Sequence, residues 1–199
     1  MKLDSPPSQR NKDVILAVLR EEDPSGGFAL ELSAGSGVHS VHFATAFPGL
    51  TWQPTDIDPA ALASVSVRRE ESGLPNLLAP RRLDVTTDDW GVPSPGATLV
   101  TSINMIHISP WEASEGLFAG VGRHLAPDGV FVTYGPYLVD GAFTAPSNER
   151  FEGWLKSLDP RFGQRDLEDL RALAERCGLR RTRLVEMPAN NFCVVYRRA

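Results

Sequence analysis

Residues 28–47 read FALELSAGSGVHSVHFATAF. Phe28 to Leu32 is a short apolar run with the length of a buried strand. Ser33-Ala34-Gly35-Ser36-Gly37 follows, and its two glycines let the backbone turn sharply and let a ligand approach it closely. From Val38 the apolar residues recur at helical spacing until Pro48-Gly49 stops the run. Strand, glycine turn and helix in that order open a βαβ unit, and this reading sets the fold class for the rest of the chain.

Downstream, the alternation continues. LTWQPTD (50–56) is the second strand, weakened by Pro54. A helix follows with Asp58 as a possible N-cap, Pro59 in its first turn and Gly73 past its end. RRLDV (81–85) is the third strand, and ATLVTSINMIHIS (97–109) is a fourth that runs into a loop. ASEGLFAGVGRHLAPDG reads as a helix closed by Pro127 and Gly129, and GVFVTYGPY (129–137) as a fifth strand. Helices capped by Ser147 and Asp166 come next, the second closed by Gly178. LRRTRLVEM and NFCVVYRR are two strands joined only by Pro188-Ala189-Asn190-Asn191, too short a link for a parallel crossover, so they pair antiparallel. Upstream, residues 1–9 read as a flexible Pro/Ser-rich lead-in, and RNKDVILAVLREE as an amphipathic helix with Asn11 as N-cap. The expectation is one α/β domain over residues 10–199: a three-layer sandwich around a mostly parallel sheet with an antiparallel C-terminal strand.

Bulk properties narrow the partners. The chain of 199 residues carries a formal net charge of −5 and has a pI near 5.4, which argues against a nucleic-acid partner. Its arginine pairs at 68/69, 81/82, 180/181 and 197/198 are scattered and read as solvated faces. Cys177 and Cys193 lack metal-ligand spacing and read as reduced core thiols. The N-terminal stretch has no apolar core of a secretory signal, and no apolar run approaches a membrane span, so a cytoplasmic location is expected.

In an open parallel sheet, ligands bind outside the carboxyl ends of the strands. Gly35 and Gly37 stand there after the first strand, Asp56 ends the second, and Asp84 stands in the third. A carboxylate at Asp56 can accept both hydroxyls of a ribose, and Asp84 can accept from an adenine amino group. Each piece has a plain reading, a tight turn or a helix cap; together they point to an adenosine-containing cofactor. Ser40 nearly completes a dinucleotide pattern, which keeps an NAD-dependent oxidoreductase as a rival. Glu31 before the glycines and the terminal hairpin favour S-adenosyl-L-methionine, because a carboxylate suits a cationic sulfonium and amino group and repels a pyrophosphate.

The segment ALELSAGSG resembles the glycine-rich first motif of class I S-adenosylmethionine-dependent methyltransferases. Over residues 10–198 the chain resembles, more narrowly, the group that includes methyltransferase-like protein 26. That resemblance rests on RNKD (10–13), WQPTDIDP (52–59), NMIHISPW (104–111), YGPY (134–137), APSNERF (145–151), Arg165-Asp166 and MPANNF (187–192). It implies a class I methyltransferase fold with a seven-stranded sheet, and methyl transfer with no substrate class attached. One departure from the first motif is Ser33, which stands where glycine is usual.

Methyl transfer is an in-line displacement, so the protein's main task is to hold the acceptor close, aligned and dry. A base helps when the acceptor oxygen or nitrogen carries a proton. His107 is the base candidate because its ordinary pKa suits neutral pH; its plain reading is a structural histidine. Asn104 can contact cofactor or acceptor, or tie down its loop. Trp111 can stack on a planar substrate or fill the core. Tyr134 and Tyr137 follow the fifth strand, one of them a pocket-liner. Asn190 and Asn191 sit on a hairpin expected at the carboxyl edge, where they grip a polar substrate or serve the turn. The cofactor set is Glu31, Ser33, Gly35, Gly37, Asp56, Asp84 and Asn104. His39 and His42 share a helix face without further ligands, so no metal is expected; His39 can touch the cofactor. Arg10 and Asn11 fold over the cofactor if the first helix is a lid, and Arg165 pairs with a substrate carboxylate or faces solvent. The expected function is methyl transfer to an unidentified small molecule; the principal rival is a non-catalytic binding protein that keeps the fold.

Overall fold

Strands β1 (Gly27–Leu32), β2 (Leu50–Asp56), β3 (Arg81–Arg82), β4 (Ala97–Ile103), β5 (Leu125–Gly135), β6 (Leu179–Met187) and β7 (Asn191–Arg198) form one sheet in a computed structural model that describes residues 1–199. Their order is β3-β2-β1-β4-β5-β7-β6. β7 runs antiparallel to both β5 and β6, and the other pairings are parallel. The strand order reverses between β1 and β4, the position at which doubly wound sheets open a crevice.

Side-chain alternation divides the core into two layers. Leu30, Val100, Phe131, Val194 and Tyr196 face α4 (Trp111–His124) and α6 (Leu167–Arg176). Ala29, Trp52, Leu99, Val132 and Val195 face α1 (Pro6–Glu21) and α2 (Val38–Ala46). α3 (Pro59–Ser72) starts as the sequence indicates, with Asp58 accepting from Ala60 N at 2.9 Å, Pro59 in the first turn and left-handed Gly73 at its end. Asp166 likewise caps α6. Pro54 is tolerated because the backbone edge it shares with Trp52 faces the β3 side, and β3 pairing begins only at Thr55. The Gln53 side-chain amide donates to the carbonyls of Pro54 and Ala79 there, at 3.0 and 2.8 Å. Cys193 is buried, Cys177 is partly so, and both are free thiols. No helix is long and apolar enough to cross a membrane.

Several element ends differ from expectation. α1 begins at Pro6, capped by Ser5, so Asn11 is no cap but a buried residue in mid-helix. The chain before it is tied to α3, where Leu3 N donates to Ser64 Oγ at 2.8 Å and its carbonyl accepts from Arg68 at 2.9 Å. Pro127 and Gly129 do not end α4; β5 starts at Leu125 and absorbs them through a register shift against β4. α5 (Pro146–Leu158) is capped by Ala145, which places Ser147 inside the helix. β3 is only two residues, although Leu83 and Val85 beyond it remain buried.

Gly120 of α4 lies against the buried Trp90 indole so closely that a methyl group there would overlap the ring. Gly120→Ala is therefore expected to cost at least about 1–3 kcal/mol through forced repacking, read as a lowered urea midpoint with unchanged slope.

Candidate active site

The glycine turn is built from residues with left-handed backbone: Ser33 at φ 56°, Gly35 at φ 54° and Gly37 at φ 81°. At Gly37 a Cβ would also come within 3.0 Å of Val65 Cα, so packing and conformation both require glycine. At Gly35 a Cβ would meet nothing nearer than Ser33 O at 4.0 Å, so the turn presents bare, accessible backbone. Ser33 occupies a conformation that costs a residue with a Cβ roughly 1–2 kcal/mol, which explains why glycine is usual at this place.

The carboxylate of Asp56 joins this turn to the end of β2. Its Oδ2 accepts from Gly35 N at 2.9 Å and its Oδ1 from Asp58 N at 3.0 Å. A carboxylate offers about four lone-pair sites, so these two bonds leave each oxygen room for a ligand hydroxyl. Asp84 lies beyond β3 on the same edge, since β2 and β3 pair in parallel with Asp56 opposite Arg82. Its Oδ1 accepts from the backbone N–H and hydroxyl of Thr86 at 2.9 and 2.7 Å, and these bonds hold its pKa below the ordinary value.

Glu31, the last residue but one of β1, is almost fully buried, its Oε2 accepting from Trp52 Nε1 at 2.7 Å. Burial pushes its pKa up to about 7; the Trp52 bond works against this shift and the Asp56 charge adds to it. Thr101 stands in register with Glu31 on β4, and its buried hydroxyl has no partner; neither has that of Ser36 inside the turn. An unpartnered hydroxyl within the bare glycine turn and another in register with Glu31, with carboxylates near three adjacent strand ends, fit the donor and acceptor set of an adenosyl amino acid.

Beyond Asn104 opens a cavity of about 490 Å³. Asn104 itself is left-handed (φ 62°), its backbone N–H donating to Tyr134 O at 2.8 Å. Asn104, His107, Tyr134 and Asn191 all line this cavity. Three other expected substrate contacts lie outside its wall. Tyr137 is a core residue whose hydroxyl donates to Thr133 Oγ1 at 2.9 Å. Trp111 packs against the core, with the Arg165 guanidinium 5.8 Å from its ring centre. Asn190 supports the hairpin, its carbonyl accepting from Asn148 Nδ2 at 3.0 Å. Arg165 donates to the carbonyls of Ser109 and Arg161, and so braces the loop after β4.

His107 is buried edge-on to Phe151, with Nδ1 unpartnered and packed against Gly135. Burial, then the Arg165 charge, holds its pKa at about 3, so at neutral pH the ring is uncharged and a far weaker base than an ordinary histidine. His39 points to α1 rather than to the glycine turn, its Nε2 2.8 Å from Asn11 Oδ1. No group of three or more His, Cys, Asp or Glu side chains is arranged to hold a metal.

A family model described as "Protein of unknown function (DUF938)" matches residues 2–198. The chain belongs to this family. Solved structures resemble the DUF938 chain over almost its whole length. A putative O-methyltransferase from Nostoc punctiforme superposes with a TM-score of 0.82 at 17% identity, over 96% of this chain and 56% of that one. An O-methyltransferase family 2 protein from Planctomyces limnophilus, in complex with apigenin, gives 0.74 and 19% over 99% and 62%. CalO1, a methyltransferase in calicheamicin biosynthesis in its SAH-bound form, gives 0.71 and 17% over 96% and 55%. The chain thus spans about 55–62% of the length of these proteins. The shared architecture is the class I methyltransferase fold, and identity this low speaks to fold alone.

Beyond the candidates that the sequence of the DUF938 chain marks, the wall includes Asn148, Phe151 and Trp154 on α5 and Val14 on α1. The spacing of Asn148, Phe151 and Trp154, three residues apart along one helix, was a readable signal. Arg10 and Asn11, on α1, both line the cavity.

Two measurements follow from this geometry. Ser33→Gly relieves the left-handed serine and should raise the thermal midpoint, by the equivalent of up to about 1 kcal/mol. Glu31 binds its proton more tightly folded than unfolded, so its contribution is favourable below the unfolded value near 4.5 and is lost as pH rises through about 7. Glu31→Gln should abolish this loss, a difference on the order of 3 kcal/mol between pH 4 and pH 8, measured as urea-unfolding stability of both proteins at each pH.

Proposed function

We propose that this chain is an S-adenosyl-L-methionine-dependent methyltransferase acting on a small-molecule acceptor bound in the cavity beneath α1 and α5. The observation that carries this reading is the Asp56 carboxylate bonded to Gly35 N at 2.9 Å, which holds a ribose-binding acid and the bare glycine turn as one unit. In this reading Asp56 accepts the ribose hydroxyls and Asp84 an adenine amino group through its free oxygen. Ser33, Gly35, Gly37 and Glu31 hold the amino-acid tail, and Asn104 stands where the two ligands meet. When bound, the cofactor supplies a methyl group on a sulfonium. The SAH-bound state of CalO1, which shares the fold, supports the choice of cofactor. His107, Tyr134 and Asn191 then face the acceptor, with Trp111, Tyr137 and Asn190 bracing the wall behind them. The same reading takes residues 10–199 as one domain working in the cytoplasm. It includes the narrower kinship with the group of methyltransferase-like protein 26, which rests on strings such as WQPTDIDP and NMIHISPW.

One observation favours a second reading, a binding protein of the same fold without turnover: His107 is far less basic than a general base working at neutral pH. A turnover assay over a metabolite panel separates the two readings. Cofactor binding tests both against anything else. Calorimetry should show S-adenosylhomocysteine binding to the wild-type chain and a loss of about 1–3 kcal/mol in Asp56→Asn, with the fold of the variant checked by its thermal transition. A wild-type chain that binds neither S-adenosylmethionine nor its demethylated product ends the proposal.

A further inference from the structure

The cavity wall has an unusual balance of charge. Arg10 is its one charged residue, and no carboxylate lines it. Arg10 takes part in none of the chain's ion pairs. Its charge is near enough to the Tyr134 hydroxyl to act on it. In a chain of net charge −5, an unpaired arginine beside a concave pocket is a directed attraction for an anion, and its planar fork matches a carboxylate.

Another part of the lining is aromatic. Phe151 and Trp154 stack with ring centres 5.4 Å apart and planes 21° apart, and Phe151 meets the His107 ring edge-on. Trp154 is half exposed although large and apolar, so its ring is available to cover a flat ligand. The other polar groups of the lining are neutral, chiefly the amides of Asn11, Asn104, Asn148 and Asn191. A volume of about 490 Å³ suits a small organic molecule, and the wall offers no carboxylate to neutralise a cationic amine.

From this juxtaposition we infer that the acceptor is a planar aromatic carboxylate, its ring against Phe151 and Trp154 and its acid paired with Arg10. The inference rests on the methyltransferase reading, because it names the acceptor for that same site.

Two-dimensional NMR of the indole N–H groups and calorimetry test this, with 6-hydroxy-2-naphthoate, its methyl ester and 6-hydroxy-2-naphthylmethylamine as probes, each with and without S-adenosylhomocysteine. Trp154→Phe assigns the Trp154 signal. The acid should move that signal and bind at least ten-fold more tightly than the ester, with the amine weakest. Arg10→Gln should erase the preference for the acid while leaving ester binding within about two-fold. Ester or amine binding equal to that of the acid overturns the inference, as does a preference that survives Arg10→Gln, or an unmoved Trp154 signal. S-adenosylhomocysteine binding without any aromatic binding defeats this inference alone. Acid-selective binding without S-adenosylhomocysteine binding defeats the methyltransferase reading and leaves the pocket's ligand standing.

Discussion

A parallel sheet gathers the carboxyl ends of its strands on one edge, and here a single side chain locks that edge together. Asp56 receives the N–H of Gly35 from the turn after β1 and the N–H of Asp58 from the turn after β2. The turn it holds contains three left-handed residues, one of them a serine. Such a backbone persists only where its surroundings over-determine it. Asp56 supplies part of that constraint from below, and the close contact of Gly37 with Val65 of α3 supplies another part from the side. Position, conformation and accessibility of the glycine turn thus all depend on the strand order that sets β1 between β2 and β4.

Burial, more than charge pairing, sets the electrostatics of the edge. The same desolvation drives Glu31 up and His107 down, because in each case it penalises the charged form. Both groups sit under the helices that close the sheet, Glu31 beneath the α1 and α2 layer and His107 beside Phe151 of α5. The outcome is a cavity with neutral polar groups and one cation at its wall.

The hairpin between β6 and β7 closes the far end of the cavity. Because β6 runs parallel to β5 and β7 antiparallel, the link between them emerges at the carboxyl edge. Ala189 and Asn190 turn it through left-handed conformations, at φ 59° and 57°. Asn148 Nδ2 then donates to the Asn190 carbonyl, and this bond fixes α5 against the hairpin. Aromatic wall and hairpin are therefore one assembly, although some forty residues separate them in the chain.

The sequence by itself determined the alternation of strands and helices along the chain, the glycine turn, the helix starts at Asp58 and Asp166, the antiparallel end of the sheet and the edge at which Asp56 and Asp84 stand. These follow from local rules: apolar period, backbone freedom of glycine, capping and loop length. Only the tertiary structure decided which side chains meet. It moved Asn11 from a cap to a buried partner of His39, took Tyr137 into the core and packed Trp111 against it, and brought Arg10, Asn148, Phe151 and Trp154 to the cavity. It also withdrew the basicity expected of His107. A residue's type is local, but its burial and its neighbours are sums over segments far apart in the chain, and those sums fix both the shape and the proton affinities of the site.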